Sequence, residues 1–131
     1  MSFAFTVSAE LPAISQPSSL VTSVMYAGAS TDYNPLHYDQ AFAGQVSPTG
    51  APIAHGMYSM GLVSRMLTAA AGGPEQVVDL QVRFSKPWPL GTTATFNGTV
   101  TEVADGIATV EVKGAAESGE TILSGVGHVR V

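Results

Sequence analysis

The stretch M-Y-S-M-G-L-V-S-R-M-L-T-A-A-A, residues 57 to 71, limits the possible folds more than any other part of the chain. As a helix it spans roughly 22 Å at ~1.5 Å per residue. Apolar side chains run around nearly its whole circumference, and Arg65 is its one charge. Such a helix belongs inside something. Gly72-Gly73-Pro74 ends it sharply, since glycine readily takes the left-handed conformation that closes a helix and proline has no N–H to continue it. Beyond it the chain reads as strand. In V-V-D-L-Q-V-R-F, Val78, Leu80, Val82 and Phe84 alternate with Asp79, Gln81 and Arg83, which predicts one apolar and one polar face. Runs over 92–103 and 107–115 flank Asp105-Gly106, a two-residue hairpin signal. Glu117 to Glu120 predicts a further turn, and 121–131 a last strand. One buried helix followed by an antiparallel meander is an α+β arrangement, a sheet curled around a helix.

The first half is less regular. F-A-F-T-V at 3–7 predicts a short strand. From Pro17 to Ala29 the sequence predicts a helix with proline in its first turn and Leu20, Val21, Val24 and Met25 on one stripe. Residues 30–52 are rich in Ser, Thr, Asn, Asp, Gly and Pro and predict a long ordered loop, with a helical turn around Asp39 to Ala43. Ordered loops of that length usually carry function. With no repeat or linker, the expectation is one domain over residues 1–131.

Composition narrows the function. There are 0 cysteines, which removes disulfides, thiolate metal sites and a cysteine nucleophile. The net charge is −5 and no basic run exists, so nucleic acid is not an expected partner. The N-terminus lacks a basic region and reaches Glu10 too early for a secretory signal, and no apolar run is long enough to span a membrane; the cytoplasm is the default. Apolar residues make up 45% and charged ones 11%, a balance that predicts a partner subunit covering part of the surface. His37, His55 and His128 have no recurring ligand spacing, and no glycine-rich phosphate loop follows a strand, so neither metal nor cofactor is expected.

Two motifs remain. T-D-Y-N-P-L-H-Y at 31–38 sets Asp32 and His37 on either side of an Asn-Pro turn, and I-A-H-G-M at 53–57 sets His55-Gly56 at the start of the long helix. The run A-G-A-S-T-D-Y-N-P-L-H-Y-D (27–39), together with I-A-H-G-M-Y-S-M-G (53–61), resembles the MaoC-type hydratase/dehydratase family, of hotdog fold. That family includes (R)-specific enoyl-CoA hydratases and mycobacterial-type hydroxyacyl-ACP dehydratase subunits. The helix and meander come in the order a hotdog requires, so the likeness extends over most of the chain. One departure is visible: Ser30-Thr31-Asp32 stands where family members often carry Ser-Gly-Asp, and a β-branched residue disfavours the positive φ a glycine accepts.

The resemblance implies reversible hydration of a trans-2-enoyl thioester to a (3R)-hydroxyacyl thioester, or the reverse dehydration. This chemistry needs a base for water, a proton for the α carbon and donors for the enolate-like oxygen. It implies His37 as base and Asp32 as its partner; spacing alone does not assign the steps. Amides at Gly56 suit the oxyanion, because N–H groups at a helix start lack intrahelical partners, and glycine permits close approach. Ser64 matches a family position near the pair, and its hydroxyl can orient one of them. The remaining binding candidates are Asn34, Tyr33, Tyr38, Phe42, His55 and Lys86.

Each has a structural rival. Asp32 can cap a helical turn, His55 can be satisfied at the helix start, and Ser64 can bond the preceding turn. Asn34 can simply form the turn, the aromatics can be core, and Lys86, like Arg65 and Arg83, is either a carrier-binding cation or a solvated charge. Met57, Met60 and Met66 read as core, and His128 as surface or interface. The implied partner is an acyl-CoA or acyl-ACP, with a homodimer expected and a heterodimer as the alternative. A hotdog thioesterase usually places an acid on or near its central helix, and residues 57–71 hold none. A non-catalytic subunit would not need both Asp32 and His37.

Overall fold

A computed structural model describes residues 3–131. Five antiparallel strands form one sheet in the order β1-β3-β4-β5-β2: β1 (Ile14–Pro17), β2 (Val77–Phe84), β3 (Thr93–Ala104), β4 (Ile107–Ala115) and β5 (Thr121–Arg130). Helices α1 (Leu20–Ser30), α2 (Gln40–Val46) and α3 (Gly56–Ala71) lie between β1 and β2 in sequence, with short 3₁₀ turns at Pro35–His37 and Pro74–Gln76. The α+β class read from the sequence is the class observed.

α3 packs on the sheet through Leu62, Val63, Met66 and Leu67, which meet Phe96, Val100, Val110, Val112, Leu123 and Val129 in the core. Alternation along β3, β4 and β5 supplies these strand residues from one face of the sheet. Gly72 ends α3 at φ 87°, with its N–H donating to Thr68. Asp105 and Gly106, at φ 54° and 75°, close the β3–β4 hairpin as the dipeptide predicted.

Other expectations are corrected. Residues 3–7 form no strand; Phe3 and Phe5 pack edge to face, 4.8 Å apart, against the core. The first strand is Ile14–Pro17, paired with Phe96 to Thr93, so Pro17 ends a strand and does not open a helix. α1 begins three residues later because Ser19 caps it, its Oγ accepting from the Thr22 N–H at 3.1 Å. The turn expected at 39–43 is the full helix α2, capped by Asp39, whose Oδ1 accepts from Ala41 and Phe42. α3 is not enclosed all round: Met57, Gly61, Arg65 and Ala69, four residues apart, form an exposed stripe. Met66 is core, Met60 is half-buried and Met57 is open. On β2, Leu80 and Val82 face the core, but a register shift between Val77 and Asp79 turns Val78 outward. Phe84 is 48% exposed and lies over the start of α3.

Candidate active site

The segment from Thr31 to Ile53 folds back against the N-terminus of α3 and carries the site. Thr31, just after α1, takes the left-handed conformation at φ 61°, the position where a glycine was the family expectation. For a residue with a Cβ that region costs roughly 1–2 kcal/mol. The adjoining turn holds it in place. Asp32 N–H donates to Ser30 Oγ at 3.2 Å, and Asp32 Oδ1 accepts from Asn34 N–H at 3.3 Å. Asn34 Oδ1 in turn caps the 3₁₀ turn by accepting from Leu36 N–H at 3.0 Å. Asn34 is therefore a turn-former, and its side chain is spent on backbone.

His37 is buried and held from three sides. Its Nδ1 lies 2.8 Å from the Ile53 carbonyl. Its own carbonyl accepts from Ser23 Oγ on α1 at 2.6 Å. Its ring stacks on His55 with centroids 3.8 Å apart and planes 23° from parallel. A carbonyl oxygen only accepts, so Nδ1 carries the proton of the neutral ring, and Nε2 is left with its lone pair free. That lone pair is what a general base needs. Asp32 Oδ2 sits 3.8 Å from His37 Nε2. This is beyond a direct hydrogen bond, and it lets one water oxygen reach both groups.

His37 opens onto a cavity of about 380 Å³ whose lining includes Ile53, Gly56, Ser59, Phe84, Lys86, Trp88 and Ile122. Gly56 lines the same cavity and is the first residue of α3, so its N–H has no intrahelical acceptor and the positive end of the helix lies behind it. A Cβ at Gly56 would come within 3.2 Å of the Phe84 ring, so the glycine also makes room for that side chain. Among the sequence-derived candidates, His37, Gly56 and Lys86 line the cavity, with Asp32 beside His37 and His55 stacked against its ring. Tyr33 is exposed, with its carbonyl accepting from Tyr38 Oη at 2.8 Å, and neither ring lines this cavity. Phe42 on α2 is also exposed and away from it. Ser64 lies eight residues along α3 from Gly56, about 12 Å at 1.5 Å per residue, half-buried and outside the cavity.

Ser59, Ser23 and Trp88 belong to the site without being sequence candidates. Ser59 is buried on the cavity wall, three residues after Gly56 on the same helical face; that spacing was the available signal. Trp88 is buried and donates its indole N–H to Thr92 at 3.1 Å. Nothing in the sequence marks Ser23 as a partner of His37.

His55 has its Nε2 3.1 Å from the Asp32 carbonyl, and burial holds it below the usual histidine range, a shift the neighbouring His37 reinforces. Burial, with the nearby Asp32 charge, pushes Tyr26 up. Asp32, His37 and His55 each place one possible metal-ligand atom within 4.8 Å of the others. One nitrogen of each ring is committed to a carbonyl, which leaves His37 Nε2 and His55 Nδ1 as the free ring nitrogens.

Residues 6–121 match the MaoC like domain, and the chain belongs to that family of hotdog dehydratases and hydratases. It is 30% identical over 118 residues to the 3-oxo-4,17-pregnadiene-20-carboxyl-CoA hydratase beta subunit of Mycobacterium tuberculosis, covering 89% of this chain and 88% of that one. It is 37% identical over 78 residues to the (R)-specific enoyl-CoA hydratase of Rhodospirillum rubrum, where the match covers 59% of this chain and only about half, 54%, of the relative. Among solved structures, the (R)-hydratase from A. caviae involved in PHA biosynthesis superposes with a TM-score of 0.88 at 26% identity, covering 96% of both chains. The activities named for these relatives are hydrations, the work of hydro-lyases. No helix among the described residues is long and apolar enough to cross a membrane.

Proposed function

We propose that this chain catalyses reversible hydration of trans-2-enoyl thioesters to (3R)-hydroxyacyl thioesters. The observation that carries the reading is the Ile53 carbonyl on His37 Nδ1, which leaves Nε2 as a proton acceptor beside Asp32 at the mouth of the cavity. His37 takes a proton from water as the oxygen adds to the β carbon. Electron density moves onto the thioester oxygen, which the amide of Gly56 stabilises. The proton then passes through the Asp32–His37 pair to the α carbon, so one water O–H bond and the π bond of the enoyl C=C break while one C–O and one C–H bond form. Dehydration is the same path reversed. Lys86 on the rim suits the anionic carrier, coenzyme A or an acyl carrier protein.

The active form is a homodimer. In the described chain β1 and β2 are open sheet edges, and α3 leaves its Met57–Ala69 stripe uncovered. A heterodimer is the second reading, favoured by the long match to a protein that is itself a β subunit.

Purified protein given crotonyl-CoA and longer trans-2-enoyl-CoAs tests the proposal through loss of enoyl absorbance. Turnover is expected for the wild type, with a loss of ~10²-fold or more in His37→Ala and Asp32→Asn. Undiminished rates in both variants would remove the site assignment. Release of free thiol would replace it with a thioesterase.

A further inference from the structure

His55 occupies the N-cap of α3, a position where Ser, Thr, Asp or Asn normally bonds the first free amides. Its side chain makes no such bond. Its hydrogen bond runs instead to the main-chain carbonyl of Asp32, 23 residues back in the sequence. The ring is 2% exposed, and one face lies flat on His37. A residue needed only to start the helix would not be placed this way. We infer that His55 is a positioning residue for the Asp32–His37 pair, tying down the Asp32 backbone and backing the His37 ring through its Nε2–H tautomer.

The inference rests on the proposed function for the meaning of that pair, although the tautomer itself does not. Asp32 O only accepts, so Nε2 carries the proton of the neutral ring, and Nδ1 has no partner among the described residues. The two histidines thus hold opposite tautomers: His37 is protonated on Nδ1 with Nε2 free for chemistry, and His55 is protonated on Nε2 with Nδ1 buried. A second proton on His55 would put an N–H at a buried site without an acceptor and a charge against the His37 ring. The titratable groups around it are Tyr26 from α1 at 4.8 Å between centroids, with Tyr58 from α3 packed against that Tyr26 ring, His37 from the 3₁₀ turn and Asp32. Burial dominates and favours the neutral ring; the Asp32 carbonyl and charge oppose it in part. The folded pKa is therefore below the ordinary histidine value of 6.5, and the unfolded chain binds more protons between the two values. The stability linked to the neutral His55 ring is therefore full above about pH 6.5 and falls as pH drops through the folded value.

Two measurements test this on the full chain. ¹⁵N-imidazole NMR at pH 7.5 should show His55 protonated on Nε2 and His37 on Nδ1; the reverse tautomer at His55 overturns the inference without reference to activity. In enoyl-CoA hydration, His55→Leu should lower kcat between about tenfold and about 10²-fold while KM stays nearly unchanged, the signature of a displaced catalytic pair. His55→Gln, which restores an N–H toward Asp32 O, should recover much of that loss. His55→Asn is too short to do so and should behave as Leu, which keeps the test usable if the Leu variant does not fold. Wild-type kcat in a folded Leu or Asn variant, or equal losses in Gln and Asn, overturns the inference. A wild type without hydratase turnover would remove the proposed function while leaving the tautomer measurement to decide this one.

Discussion

In α3 the residues turned toward the sheet are Leu62, Val63, Met66 and Leu67, none more than 6% exposed. In α1 the residues turned inward are Ser23 and Ala27, while Leu20, Val21, Val24 and Met25 are 52–69% exposed. Both segments have helical periodicity, yet α1 turns its apolar stripe outward. The difference lies in what each helix is packed against. α3 meets the apolar face of a sheet, so transfer of side chains from water holds it there. α1 lies over the turn that carries His37, and what it supplies is a hydroxyl for a buried carbonyl. The outer stripe of α1 stays exposed in this chain.

The comparison predicts a graded response. Leu67→Ala opens a void under α3 and should cost about 2–5 kcal/mol in denaturant unfolding, by the usual scale for a buried leucine. A cost below about 1 kcal/mol would mean that α3 is not the pillar of the core. Ser23→Ala leaves the His37 carbonyl without its donor and should cost about 1–3 kcal/mol. Its sharper mark is a fall in kcat, because the turn holding the base loosens; a stability loss with unchanged kcat would reduce α1 to ordinary packing. Val21→Ser combined with Met25→Ser should leave the stability of the isolated chain within roughly ±0.5 kcal/mol per substitution, as for open surface. Light scattering coupled to size exclusion sharpens the last case. A shift toward monomer in that double variant would assign the α1 stripe to the subunit interface, and an unchanged mass would leave the sheet edges and the α3 stripe as the interface.

Legibility tracks the range of the interactions. The end of α3 at Gly72 and the Asp105-Gly106 hairpin are readable because each rests on a backbone conformation a few residues decide. The first strand is hidden for the opposite reason. Phe3 and Phe5 alternate like strand residues but pack as an edge-to-face pair, whereas I-S-Q-P at 14–17, with little pattern of its own, is a strand because Thr93 to Phe96 pairs with it. Val78 is turned outward by a register shift that periodicity cannot anticipate. In the site, Asp32 and His37 stand out through an unusual local motif, while Ile53 contributes only a carbonyl, a group every residue has.

The amino-acid sequence by itself determined the α+β class, the hairpin, the long central helix and the pairing of a carboxylate with an imidazole across an Asn-Pro turn. These depend on hydrophobic period and turn chemistry, which act over a few residues. Tertiary structure alone decided which face of α1 turns inward, which nitrogen of His37 is free and what His55 holds. Those outcomes depend on hydrogen bonds between groups 14 to 23 residues apart, and such bonds exist only once the chain has folded back on itself.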